Sequence, residues 1–262
     1  MWSGPRNIST ALMRAWEARG DTVVTDEPLY AHYLLKTGAP HPGRDEIIAR
    51  CETDWRKVAA QLTGETDSGE NLVEGAHRNG DGQRSGTGNR DAPVRKYIHY
   101  QKHMAHHLLP EMEGPWLERL THAFLIRDPA EMAVSLARIT ANPGPDDTGL
   151  PNQCALYRRV TQKLGRPAPV IDARDVLENP AGVLEKLCVA LGVPWTPSML
   201  SWEPGLRPAD GVWAPHWYDQ VATSTGFRSR PPGNREVPKA LHELVETCRP
   251  LYEALHRNRI TA

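Results

Sequence analysis

The sequence predicts an α/β fold, a parallel sheet flanked by helices on both sides, and three observations carry that reading. Short apolar runs alternate with helical patterns, the arrangement that builds parallel sheets. The alternation runs through the chain without an internal repeat. A length of 262 residues suits one α/β domain of ordinary size with ample core. The chain is read as a single domain, 1–262, with one insert at 64–95.

The first element is a loop that opens a helix. Ser3-Gly4-Pro5-Arg6-Asn7-Ile8-Ser9-Thr10 sets small and hydroxyl residues around one arginine, ahead of a helical run within 6–19. Such a loop presents free backbone N–H groups and the positive end of the helix dipole to an anion. Arg6 adds a fixed charge, and Ser9 and Thr10 add hydroxyl donors. The natural ligand is a phosphate or a sulfate. An ordinary N-capped helix, with Ser3 or Asn7 as cap, is the simpler alternative. The Gly-x-x-x-x-Gly-Lys-Ser/Thr pattern is absent.

A short strand follows at 22–25 and a helix at 27–35. Residues 45–62 carry Ile47, Ile48, Cys51, Trp55, Val58 and Leu62 at helical spacing. The stretch 64–95 is rich in glycine and charge and nearly devoid of apolar residues, so it reads as a disordered insert. A strand is expected at 96–100 and a helix at 103–109.

Residues 122–126, His-Ala-Phe-Leu-Ile, suit a buried strand. Arg127-Asp128-Pro129 turns the chain, and 130–139 reads as a helix with Pro129 in its first turn. Arg127 thus stands at a strand's carboxyl end, where open parallel sheets bind ligands, with Ser135 eight residues on. Together they can clamp a second anion. A helix at 153–164, a strand at 168–171, a helix at 183–191 and a closing helix at 237–256 complete the alternation. The Trp- and Pro-rich stretch 194–218 has no clear period.

These motifs resemble the sulfotransferase family, which uses 3′-phosphoadenosine 5′-phosphosulfate as donor. Pro5-Arg6-Asn7-Ile8-Ser9-Thr10 stands in place of that family's 5′-phosphosulfate loop, and Arg127 and Ser135 match its 3′-phosphate pair. Val170 to Pro180 looks like the family's strand and "Glu-Asp-Leu" turn. Gln101-Lys102-His103-Met104 with His106-His107-Leu108-Leu109-Pro110 looks like its Lys-Thr-His-Leu-Pro region. A bacterial branch with Trp-Ser-Gly-Pro-Arg-Asn is similar also at Asp26-Glu27-Pro28-Leu29-Tyr30 and Trp213-Ala214-Pro215-His216-Trp217-Tyr218.

The resemblance implies a nucleotide-transferase-like fold of the P-loop type and sulfuryl transfer to a hydroxyl or amine of a small molecule. Pro5, Arg6, Asn7, Ser9, Thr10, Arg127 and Ser135 would hold the donor. Lys102 would stabilise the bridging oxygen. His103, or else His106, would take the acceptor's proton, as histidine's pKa allows near neutrality. The alternatives are a non-catalytic nucleotide-binding protein of the same fold and an ATP-dependent phosphotransferase.

Two departures shape the expectations. Ile8 replaces a loop glycine, and a β-branched residue resists positive φ, so the loop is expected to be shaped differently. Only Met1 and Trp2 precede the loop, so the first strand is expected to be truncated or missing.

A net charge of −1 makes no electrostatic case for nucleic acid or an anionic membrane. No apolar run approaches the length needed to span a bilayer, and the first residues lack a signal peptide's charged-then-apolar pattern. The scattered Cys51, Cys154, Cys188 and Cys248 fit reduced thiols in the cytoplasm. His99, His103, His106 and His107 raise a zinc site as an alternative, but no carboxylate or cysteine joins them at ligand spacing, and no metal is expected.

Overall fold

Strands Trp2–Ser3 (β1), Thr22–Asp26 (β2), Ile98–Met104 (β3), Phe124–Ile126 (β4) and Val170–Asp172 (β5) form a five-stranded sheet in the order β2-β3-β1-β4-β5. Every pairing is parallel. The computed structural model describes residues 1–65, 98–228 and 236–262. The insert read at 64–95 lies outside the described residues from position 66 on.

The first strand, expected to be truncated or missing, is present at the centre of the sheet and only two residues long. Trp2 stands opposite His103 and Phe124, and Ser3 opposite Met104 and Leu125. Gln153 reinforces this junction by donating to the carbonyls of Trp2 at 3.0 Å and Leu125 at 2.9 Å.

Helices cover both faces. On one, Ser9–Glu17 (α1), Ala173–Glu178 (α7) and Pro180–Leu191 (α8) bury Leu12, Trp16, Val176 and Leu184 against Val24, Tyr100, Leu125 and Ile171. On the other, Trp55–Thr63 (α4), Leu150–Leu164 (α6) and His242–His256 (α11) bury Val58, Leu156 and Leu244 against Trp2, Phe124, Ile126 and Val170. Alternation along each strand assigns its side chains to the two cores.

Two expectations change. The helix read at 45–62 is two helices, Arg44–Arg50 (α3) and α4. Cys51 is extended, and the Asp54 side chain caps α4 by accepting from Arg56 N at 2.9 Å, a stronger local signal than the shared apolar period. The second change concerns 103–109. The strand read at 96–100 runs on to Met104, and the segment then makes two short 3₁₀ turns, Ala105–His107 and Pro110–Met112. His103 is therefore a strand residue.

Tyr30–Thr37 (α2) packs with α3 and with Trp213, Ala214 and Tyr218 in a third cluster. Pro129–Leu136 (α5) follows β4 and is capped by Asp128, which accepts from Ala130 N at 2.8 Å. Between residues 201 and 228 only two one-turn helices form, Ala214–Trp217 (α9) and Asp219–Ala222 (α10). No helix among the described residues is long and apolar enough to cross a membrane.

Candidate active site

The loop after β1 gathers the residues expected to meet an anion. Arg6 donates from Nε to Ser135 Oγ at 3.0 Å. Arg127 donates from Nη1 to the Arg6 carbonyl at 2.6 Å. Residues far apart in sequence thus converge: Arg6 from the loop between β1 and α1, Arg127 just after β4, and Ser135 from the last turn of α5. Glu131 holds the other side of Arg127, 3.1 Å from Nε and 3.1 Å from Nη2. Its Oε1 also accepts from Arg174 at 2.6 Å. A guanidinium has five N–H donors, so these contacts leave Arg127 donors for a further oxygen ligand.

The loop backbone is unusual. Arg6 and Ile8 both have positive φ, 61° and 58°. Ile8 takes the left-handed conformation that its β-branch was expected to refuse. Its carbonyl accepts from Leu12 N at 3.0 Å to start α1, and its side chain packs on the core beneath α1. Such residues cost about 1–3 kcal/mol each and persist where the surroundings over-determine them. Asn7 and Ser9 are buried, while Pro5, Arg6 and Thr10 are partly exposed at the rim. A methyl group on Gly4 would collide with the Thr148 carbonyl oxygen, and Gly149 lies against Gly4.

His106 sits at this junction. It is half-buried, and its Nδ1 lies 3.4 Å from where a Cβ on Gly149 would stand. Burial, with His41 nearby, pushes its pKa down to about 3, so its ring is neutral at physiological pH. His107 follows, its ring 4.4 Å from that of His106 and stacked on Tyr30 at 4.5 Å. Burial holds His107 well below the ordinary histidine value.

Beyond His107 lies a buried charged cluster. Lys102 Nζ donates to Asp26 Oδ1 at 2.8 Å, to Glu27 Oε1 at 2.5 Å and to Tyr218 Oη at 2.8 Å. Those three acceptors use all three ammonium N–H groups. Tyr218 donates to Asp26 Oδ2 and accepts from Trp213 Nε1 at 3.3 Å. His107 Nδ1 is 3.8 Å from Glu27 Oε2. Burial alone would lower the Lys102 pKa, yet Asp26 and Glu27 hold it well above the usual lysine value. Burial pushes the Glu27 carboxyl up, Lys102 pulls it back and Asp26 raises it again. Glu27 is a further non-glycine residue with positive φ, 37°.

The candidate residues therefore divide. Arg6, Ser135 and Arg127 come together. Lys102, expected at a bridging oxygen, is fully engaged within the cluster. His103 points the other way. Trp2 stacks on it at 4.2 Å, whereas Tyr100, on Lys102's side of β3, stacks on Trp16 of α1. His103 is 2% exposed, its Nε2 bonds Gln101 Oε1 at 3.1 Å, and burial holds it well below the ordinary histidine range. These are the features of a packed core histidine. Among the described residues no three His, Cys, Asp or Glu side chains are grouped to hold a metal ion.

Asp26, Glu27 and Tyr218 were not among the residues expected at the site, although all three lie in the motifs that carry the resemblance. The signal was present: the Asp-Glu-Pro, Gln-Lys-His-Met and Trp-Ala-Pro-His-Trp-Tyr motifs all meet in this one cluster. His216, in the last of them, is exposed and lies over Gly43.

A family model described as a sulfotransferase domain matches residues 1–82 and 76–259. The chain belongs to the sulfotransferase-domain family. Two Arabidopsis thaliana proteins, branched-chain-amino-acid aminotransferase-like proteins 2 and 1, are 32% and 35% identical over 254 residues. Those matches cover 97% of this chain and 40% of each relative, so the chain spans well under half of their length. Two solved sulfotransferase domains are also similar. One, from the curacin biosynthetic pathway, is 14% identical with a TM-score of 0.41, covering 95% of each chain. The other, from the Synechococcus PCC 7002 olefin synthase, is 17% identical with a TM-score of 0.46, covering 94% of this chain and 92% of that one.

Proposed function

We propose that this sulfotransferase-family chain moves a sulfuryl group from 3′-phosphoadenosine 5′-phosphosulfate to a hydroxyl or amine of a small molecule. The observation that carries the reading is the Arg6–Ser135 contact with Arg127 on the Arg6 carbonyl. It joins two anion-binding segments at the carboxyl edge of a parallel sheet, where such folds bind ligands. The donor set is cationic and hydroxylic and sits beside a helix N-terminus, which suits a phosphate- and sulfate-bearing ligand.

The donor supplies an activated sulfuryl group, and the protein's task is positioning and charge stabilisation. Arg6 and the loop amides neutralise charge on the leaving side. Arg127 and Ser135 fix the nucleotide.

The acceptor's proton needs a base, and three features favour Glu27 over His103. Glu27 stands just past the carboxyl end of β2, its side chain is 11% exposed, and burial raises its carboxyl toward the working pH. Lys102 then orients the base rather than meeting the bridging oxygen. The pair His106–His107 lies between Glu27, 3.8 Å from His107 Nδ1, and Gly149, which packs beside Gly4.

Thermal denaturation with 3′,5′-ADP, with ATP and magnesium, and with buffer alone tests the reading. Stabilisation by 3′,5′-ADP, followed by transfer of labelled sulfate to members of an alcohol and amine panel, is the expected result. Stabilisation by ATP and magnesium alone would overturn it in favour of phosphoryl transfer. Binding of 3′,5′-ADP without transfer or donor hydrolysis would overturn the catalytic part.

A further inference from the structure

The charged cluster contains one ammonium and two carboxylates, and that imbalance has a purpose in the reading just given. A lysine paired with a single buried glutamate makes a poor base of it, because the adjacent cation stabilises the ionised form. Here Lys102 is divided, at 2.8 Å from Asp26 and 2.5 Å from Glu27. We propose that Asp26 is a positioning residue that keeps Glu27 proton-accepting, by sharing the charge of Lys102 so that the ammonium is not neutralised by Glu27 alone. The proposal rests on Glu27 as the base.

The geometry supports it from several sides. Both oxygens of Asp26 act as acceptors, Oδ1 from Lys102 and Oδ2 from Tyr218, with Gly211 N at 3.4 Å from Oδ2. Asp26 is thus fixed by β3 and by the stretch 210–218. Asp210 anchors that stretch by accepting twice from Arg14 of α1, at 2.7 Å and 2.6 Å. The side chain of Asp26 is 1% exposed and that of Glu27 is 11% exposed. The more open of the two carboxylates is the one left to meet an acceptor.

The other groups facing Glu27 do not supply the same effect. His107, from the 3₁₀ turn, lies 3.8 Å away and is held neutral by burial. Tyr30, from α2, is engaged with His41 Nδ1 at 2.8 Å. Tyr218, from the 210–218 stretch, is a neutral phenol whose pKa burial raises further. Asp26 is the anionic neighbour, and like charge close by favours the protonated form of Glu27.

The test is a carbon-13 NMR titration of donor-free protein carrying glutamate labelled at Cδ. The Glu27 resonance is assigned by its loss in Glu27→Gln. In the native chain it titrates above the ordinary glutamate value of about 4.3. In Asp26→Asn, where Lys102 turns wholly to Glu27, the midpoint falls by about one unit or more. An unchanged or raised midpoint overturns the proposal. Should Asp26→Asn fail to fold, Asp26→Ser decides, since it also removes the competing carboxylate, and the Glu27 midpoint again falls. No movement in Asp26→Ser overturns the proposal equally.

A Glu27 that titrates as expected in protein without affinity for 3′,5′-ADP would remove the proposed function and leave the charge sharing standing. Activity closes the argument. In Asp26→Asn the acid limb of sulfate transfer or donor hydrolysis shifts to lower pH by the same amount as the titration, while 3′,5′-ADP affinity stays within about twofold. A purely structural Asp26 would lower turnover without moving that limb.

Discussion

The loop after β1 and the cluster beside β2 are both cations held by oxygen ligands, and they differ in where those ligands leave them. Arg127 has a side chain 17% exposed and gives its bonds to Glu131 and to a backbone carbonyl, with donors remaining. Lys102 is 1% exposed and its three N–H groups all have acceptors. The first arrangement can take up an anion, and the second is complete within the protein. Under the proposed function, the same residue chemistry separates into a part that would hold the ligand and a part that would set the protonation and orientation of a neighbour.

The largest expected effect that sharpens this contrast is on stability. Lys102→Met keeps much of the side-chain volume but leaves Asp26 and Glu27 facing each other without their cation. Removing one partner of a buried ion pair costs about 3–5 kcal/mol. A lowered thermal midpoint, or loss of cooperative unfolding, is expected at neutral pH. Part of the stability should return in acid, where a carboxylate can protonate. A midpoint within a couple of degrees of the native chain would show that the cluster is no tighter than a surface pair.

Arg127→Ala should behave in the opposite way. Its ion pair with Glu131 lies near the surface, and such pairs contribute about 0–1 kcal/mol. The thermal midpoint should barely move. Affinity for 3′,5′-ADP should fall about tenfold to a hundredfold, the size of a lost charge-assisted contact. Calorimetric titration with 3′,5′-ADP, using 5′-AMP as control, reads this directly. Equal losses for both nucleotides would detach Arg127 from the 3′-phosphate.

The two regions also differed in how much the sequence revealed of them. Arg127 and Ser135 belong to one strand, turn and helix, and each of those signals is local: an apolar run, a proline in the first turn, an Asp cap. Arg6 lies in a loop whose composition marks it. The cluster has no such local signature. Asp26, Lys102 and Tyr218 are brought together by the register of β2 on β3, which sets Asp26 opposite Lys102, and by the long return of the 210–218 stretch. Neither can be read from spacing.

The strand itself was cut short for a related reason. Gln101, Lys102 and His103 are polar yet buried, so they end the apolar run that announces a strand. Once β3 is extended to Met104, alternation turns Lys102 and His103 to opposite faces. The motif's two neighbours could then not share one reacting centre. The central strand was expected only as truncated or missing because two residues give no periodicity at all; Trp2 and Ser3 are defined by partners on both sides.

The smallest expected effect concerns Ile8, and it tests whether the loop described is its binding shape. Its φ of 58° costs an isoleucine about 1–2 kcal/mol that glycine would not incur. Against that, glycine gives the unfolded chain more freedom, worth about 0.4–1 kcal/mol. It also removes a partly buried side chain from the core under α1, at a similar cost. These contributions nearly cancel, so Ile8→Gly should shift the thermal midpoint by no more than about 2–4 °C in either direction. The contacts of Arg6 to Ser135 and of Arg127 to the Arg6 carbonyl do not pass through the Ile8 side chain. Affinity for 3′,5′-ADP should accordingly stay within about threefold of native. A large destabilisation would mean that Ile8 packing, not the anion cradle, fixes the loop. A marked gain in affinity would mean that Ile8 holds the loop away from the conformation that binds, so that the glycine of the resembling proteins restores it.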